Sequence, residues 1–146
     1  MIAPDDPDRG FVRRAAAYAR RVAAREEVAG ELERRACARF LRDLERQQTD
    51  GFPWVMSTAH AGRACRFIEL LRHIKGKWAR PTIVDGQLVH PQIVLEYWQV
   101  FVVVNLFGWV HPQTLLRRFR KAYLEVARKN AKSALAAAIL LYVFCT

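Results

Sequence analysis

Apolar residues recur at helical spacing through the first half of the chain. Phe11, Ala15, Tyr18 and Val22 follow at intervals of four, three and four, which predicts an amphipathic helix over residues 9 to 28 with Asp8 as its N-cap. Gly30 interrupts it. A second helix follows, with Leu32, Ala36, Phe40, Leu41 and Leu44 on one side and Arg34, Arg35, Arg39, Arg42 and Arg46 interleaved with acids on the other. Those arginines could face DNA, but Glu31, Glu33, Asp43 and Glu45 lie among them and favour a salt-bridged solvent face. Gln47 to Pro53 reads as a turn-rich loop. Ser57 or Thr58 then caps a third helix carrying Ala61, Ala64, Cys65, Ile68, Leu71 and Ile74, with Gly76 as its end.

Two β-prone triplets come next, Thr82-Ile83-Val84 and Gln87-Leu88-Val89, joined by Asp85-Gly86. The pattern predicts a tight hairpin with a primed turn. From Leu95 to Phe107 the chain is dense in aromatic and β-branched residues, so buried strand and buried helix compete. Its thirteen residues exceed a usual strand, which favours helix and assigns Trp98, Phe101, Leu106 and Trp109 mostly to the core. Tyr123, Leu124 and Val126 suit a short buried strand, Ala127 to Lys132 a polar turn, and Ser133 to Tyr142 is an almost wholly apolar run. The order is strand, phosphate-sized loop, helix.

Composition narrows the class. With 146 residues, 52% of them hydrophobic and 26% charged, the chain suits one globular domain with a real core. Its net charge of +10 suits a polyanionic partner such as nucleic acid or nucleotide phosphate, or equally a solvated basic face. Cys37, Cys65 and Cys145 are far apart and odd in number, which argues against a disulfide framework or zinc site and for a reducing compartment. The opening MIAPDDPDRG carries acid where a secretory signal would carry base, so no signal is expected there, and the longest apolar run, Ala134 to Cys145, falls short of the about 20 residues that span a bilayer.

The candidate chemistry lies late in the chain. In a nucleotide-binding P-loop, backbone N–H groups wrap the phosphates, a Lys neutralises them and the next Ser or Thr reaches Mg²⁺. Lys132 and Ser133 stand where those two belong, although Val126 and Ala131 replace the two glycines of the strict pattern. The same pair also suits a capped helix start. Gln99, a lone amide in an apolar segment, either meets an adenine edge or bonds to backbone. Residues 113 to 133 carry Arg117, Arg118, Arg120, Lys121, Arg128, Lys129 and Lys132 against Glu125 alone, the most phosphate-friendly segment.

Taken in order, FIELLRHIKGKWARP, LEYWQVFVVVNLFGWV and RRFRKAYLEVARKNAKSALAAAILLY resemble the N-terminal part of the terminase large subunit of tailed bacteriophages and prophages. ACARFLRDLER and DGFPW also look like that family's N-terminal helical region. The resemblance implies a motor that hydrolyses ATP to drive viral DNA into a capsid, with a nuclease domain beyond it. It implies a mainly α fold with a small β-hairpin: an N-terminal helical region over 1–76, then the start of an α/β P-loop ATPase domain over 77–146. Within the latter fall the hairpin 82–89, the adenine-motif segment 95–107, the P-loop 126–133 and the helix 133–145.

By the same resemblance Gln99 recognises adenine, and Ala127, Arg128, Lys129, Asn130, Ala131, Lys132 and Ser133 form the nucleotide loop. Lys132 would hold the β/γ phosphates, Ser133 would help hold Mg²⁺ through the nucleotide, and Arg128 would stabilise charge in the transition state. Arg117, Arg118, Arg120 and Lys121 are the candidate nucleic-acid contacts. ATP and Mg²⁺ are the implied cofactors; double-stranded DNA, the portal and the small terminase subunit the implied partners; and the bacterial host cytoplasm the implied location. Ala131 puts a Cβ where the family commonly has Gly, which weakens the expectation of nucleotide binding. The acidic strand and nuclease carboxylates of the family do not follow before Thr146, so a truncated, catalytically incompetent fragment is expected. The alternative is a non-enzymatic basic helical module that binds nucleic acid or another packaging protein. The apolar tail is expected to be an exposed patch, a surface for self-association or a partner-binding helix, and less readily a lipid contact.

Overall fold

The computed structural model describes residues 7–47, 49–73, 79–127 and 130–146, with side chains from residue 10 onward. In chain order the elements are α1 (Pro7–Ala23), α2 (Glu31–Arg46), β1 (Val55–Met56), α3 (Thr58–Leu70) and β2 (Thr82–Val84). β3 (Gln87–Val89), α4 (Tyr97–Gly108), β4 (Trp109–Val110) and α5 (Lys132–Cys145) complete them. The architecture is mainly helical with small antiparallel strand pairs. Two compact units divide the chain: Met1–Cys65 with Glu96–Glu125, and Arg66–Leu95 with Val126–Thr146.

In the first unit α1 packs on both α2 and α4. The predicted stripe of α1 is the one that goes inside: Phe11, Ala15, Tyr18 and Val22 are all buried. α4 buries Val100, Phe101, Val103, Val104 and Phe107 around most of its circumference, which is why its sequence lacks a helical period yet forms a helix. Trp109 is buried with Phe101, while Trp98 and Leu106 are half-buried. The aromatic rings form a chain through this core. Tyr18 meets Phe101 at 5.6 Å, Phe101 meets Phe40 at 5.4 Å, Phe40 meets Trp109 at 6.1 Å and Trp109 meets Phe52 at 6.0 Å between centroids. Each fully buried side chain of this size contributes about 1.5–3 kcal/mol, with edge-to-face pairs adding to it.

Helix ends differ from expectation for local reasons. α1 begins at Pro7, whose fixed φ suits a first turn, so Asp8 lies inside the helix instead of capping it. It stops at Ala23, five residues before the predicted end. Arg25 adopts a left-handed conformation (φ 62°), Glu26 N–H bonds Arg21 O at 2.9 Å and Arg25 N–H bonds Val22 O at 3.2 Å. That is the Schellman pattern, made with Arg in the place usually held by Gly. Gly30 is the N-cap of α2, in extended conformation. Ser57 caps α3 as expected, its Oγ accepting from His60 N–H at 3.3 Å.

β1 and β4 pair antiparallel, Val55 opposite Val110 and Met56 opposite Trp109. Gly108 packs closely here: a Cβ would lie 2.6 Å from Met56 Sδ and 3.2 Å from Ala61 Cβ, so the Met56 side chain would have to move to admit one. Beyond β4 the chain turns back through Leu115, and Arg118 N–H bonds Trp109 O at 2.9 Å. Arg118 is thereby anchored beside the core.

In the second unit the hairpin forms as predicted. Thr82 faces Val89, Ile83 faces Leu88 and Val84 faces Gln87, with Asp85 at φ 49° and Gly86 at φ 76° as the primed turn requires. α3 ends at Leu70, earlier than the apolar pattern through Leu71 and Ile74 implied; Ile74 and Gly76 lie outside the described residues. The helix gives way because the next residues pair with another strand of chain: Ile93 N–H bonds Leu71 O at 2.8 Å and His73 N–H bonds Pro91 O at 2.9 Å. α5 spans the expected residues and buries Leu135, Ala138 and Tyr142, a single stripe at intervals of three and four, with Tyr142 against Phe67 at 5.3 Å.

The strand predicted at Tyr123, Leu124 and Val126 does not form. Residues 121–127 carry no regular secondary structure, and Tyr123 is 80% exposed. A strand exists only with a partner to take its N–H and C=O groups. Among the described residues the paired strands are β1 with β4 and β2 with β3, and none adjoins this stretch. Nor is any helix among the described residues long and apolar enough to cross a membrane.

Candidate functional site

The loop before α5 ends in a defined geometry. Asn130 precedes Ala131, which is left-handed at φ 54° and ψ 17° and serves as the N-cap of α5 without a side-chain cap. The first intrahelical bond runs from Leu135 N–H to Ala131 O at 2.9 Å. The N–H groups of Lys132, Ser133 and Ala134 therefore lie in the first turn, where a helix has no acceptors of its own. Lys132 and Ser133 are both exposed. First-turn N–H groups, the positive end of the helix and an ammonium group together suit a phosphate. Ala131 is strained there by about 1–2 kcal/mol, because its Cβ crowds the backbone in the left-handed region. Ala127 is exposed, and Arg128 and Lys129 lie outside the described residues.

Gln99 lies in the first unit, in the opening turn of α4, and is only 6% exposed. Its Oε1 accepts from Glu96 N–H at 2.9 Å, one arm of a capping box. The buried amide has found a backbone partner through its carbonyl.

The four candidate nucleic-acid contacts do not form one surface. Arg118 Nη1 bonds Asp43 Oδ2 at 2.6 Å, and its side chain is only 17% exposed. The guanidinium also lies over Phe52 and Phe119, at 4.9 and 4.7 Å. Arg117 lies over Phe107 at 4.9 Å. Arg120 and Lys121 are exposed.

Asp43 overturns the solvent-face reading of α2. It is 1% exposed and also accepts from Arg46, at 2.8 Å from Nη2. Arg35 with Glu31, at 2.9 Å, is an exposed pair of the expected kind. A carboxylate this deep survives only because two guanidiniums satisfy it. Sequence spacing carried no sign of the pair, since Asp43 and Arg118 lie 75 positions apart.

Two thiols are buried, Cys37 and Cys65, and Cys145 is exposed. Burial, helped by Glu33, pushes the Cys37 thiol up to about 12, which leaves it protonated and unreactive at neutral pH. Tyr18 is raised well above the usual phenol range by burial and by its hydrogen bond to Glu33. No group of three or more His, Cys, Asp and Glu that could hold a metal occurs among the described residues.

Residues 97–144 match the family described as terminase large subunit, ATPase domain. This stretch runs from the start of α4 to the last turn of α5 and covers about a third of the 146 residues. Over these residues the chain is similar to part of a terminase large-subunit ATPase domain. No curated protein and no solved structure matches the chain.

Proposed function

We propose that the chain contributes the nucleotide-contacting part of a bacteriophage or prophage DNA-packaging motor, with residues 1–76 as its helical approach. The observation that carries this reading is the family match over 97–144, which includes both Gln99 and the loop into α5. The exposed first turn of α5 supports it. Lys132 would bind the β/γ phosphates, the N–H groups of Lys132 to Ala134 would hold them in place, and Ser133 would contribute its hydroxyl beside them. Mg²⁺ arriving with ATP would supply neutralisation of phosphate charge at that hydroxyl. Gln99 would offer its amide nitrogen to the adenine, and Arg128 would sit near the transferred phosphate. Double-stranded DNA, the portal and the small terminase subunit are the proposed partners, in the bacterial cytoplasm.

Calorimetric titration with ATP and Mg²⁺ tests this on the chain and on two variants. The chain is expected to bind, Lys132→Ala to lose binding, and Ala131→Gly to bind more tightly because the left-handed strain is relieved. Absence of binding by the unaltered chain, or equal binding by Lys132→Ala, would contradict it.

A second reading, a non-enzymatic basic module that binds nucleic acid or another packaging protein, is favoured by the exposed Arg120 and Lys121. Duplex binding that weakens steeply with salt and is lost in Arg120→Gln with Lys121→Gln, alongside silent ATP titrations, would select it.

A further inference from the structure

The cluster around Asp43 holds more positive charge than it can use. Arg46 and Arg118 both bond the one carboxylate, and Arg39 stands beside them with its guanidinium 4.7 Å from the Phe119 ring, the same distance as that of Arg118. Two guanidiniums thus share the one carboxylate, and a third, that of Arg39, lies over the same ring as Arg118. Asp43 has both oxygens engaged, Oδ1 with Arg46 and Oδ2 with Arg118. Arg39 is left out. Its Nε is buried and has no hydrogen-bond partner among the described residues. A buried donor of a charged group without an acceptor is costly, and its usual explanation is an absent water or anion.

The rigidity of the cluster suits an anion. Phe119 fixes the planes of Arg39 and Arg118, so little side-chain entropy remains to be lost on binding. Burial and the neighbouring Arg118 lower the Arg39 guanidinium below its usual range, a repulsion that a shared oxyanion would relieve. Arg39 keeps an edge in solvent, and Arg120 follows the cluster in an exposed position. We infer that Arg39 and Arg118, held on Phe119 and anchored by Asp43, form an oxyanion site that takes one phosphate group, either free or as the phosphodiester of a nucleic acid. The site belongs to the first unit and uses neither Lys132 nor Gln99, so it stands or falls independently of the ATP proposal.

The direct probe is the Arg39 Nε–H resonance in a ¹H–¹⁵N spectrum of the whole chain. It is titrated with inorganic phosphate, with a short DNA duplex, and with chloride at matched ionic strength. A saturable shift with phosphate, absent with chloride, is expected. A matching shift with duplex identifies the phosphodiester as the source, and its absence identifies a free phosphate. Arg39→Lys keeps the charge and removes the Nε donor, so phosphate affinity should fall about tenfold, the worth of one charge-assisted hydrogen bond. Arg80→Lys, an exposed control in the second unit, should stay within about twofold. No saturable shift with phosphate or duplex, an equal shift with chloride, or unchanged affinity in Arg39→Lys would overturn the inference. Because the first arm uses the unaltered chain, a variant that fails to fold does not remove the test.

Discussion

Phe40 in the first unit touches Phe101 and Trp109, and every large side chain of that aromatic chain is closed from water on several sides. Phe144 in the second unit is 89% exposed, and Ile83, Leu88 and Leu140 are exposed with it. Both regions are rich in apolar residues. The first arranges them around helices that cover one another, whereas the second combines a two-stranded hairpin and the end of α3 with a helix, α5, that buries one stripe. A two-stranded hairpin has no second layer of its own, and a helix apolar all round needs cover on more than one side. The contrast teaches that hydrophobic content does not by itself make a core; the core needs elements whose apolar faces meet.

The buried ion pair offers the largest way to break this contrast. Asp43→Ala leaves Arg118 and Arg46 without their carboxylate beside the aromatic core, and should cost about 3–5 kcal/mol in denaturant unfolding. A loss below about 1 kcal/mol would show that the pair is dispensable to the first unit. Paired phenylalanine truncations sharpen the comparison further. Phe40→Ala should cost about 3–5 kcal/mol by opening a cavity, and Phe144→Ala should stay within about 0.5 kcal/mol. Equal costs would mean that α5 is as well packed as α2.

The cysteines give a smaller and pH-dependent test. Because the folded Cys37 thiol is pushed up to about 12 while an unfolded thiol titrates near its ordinary value of about 8.5, the unfolded state loses its proton first. Stability is therefore full below that ordinary value and declines as pH rises toward 12, by at most about 1.4 kcal/mol per pH unit from this group. Tyr18 adds to the loss at the alkaline end. Thermal melts across this range should show a shallower decline in Cys37→Ala. Thiol reagents at neutral pH should label Cys145 rapidly, and Cys37 and Cys65 only on unfolding.

Local chemistry decided how much of this was legible in the sequence. The hairpin was readable because Asp85-Gly86 specifies its turn within two residues, and α4 because its length favours a helix over a competing strand. Gln99 and Ser57 were readable as groups in need of partners, though not which partners they would find. The features that escaped depend on distant segments. Asp43 looks like one more surface acid until Arg118 arrives from 75 positions away. The end of α3 is set by Pro91 and Ile93, which pair with the residues that would have continued the helix. The strand at Tyr123 to Val126 had the right residue types and no neighbour, and strand propensity without a neighbour makes nothing. Arg25 closing α1 in a left-handed turn gave no signal, because that position usually shows itself as glycine.

Native-state hydrogen exchange, with and without ATP and Mg²⁺, tests the account most directly, since it reads both units and the candidate loop at once. Without nucleotide, α1, α2 and α4 should exchange slowest, and the hairpin and α5 much faster. Adding nucleotide should slow the amides of Lys132 to Ala134 selectively. Uniform protection across the two units would contradict the contrast between them, and unchanged exchange at Lys132 to Ala134 would contradict the placement of the phosphates at the start of α5.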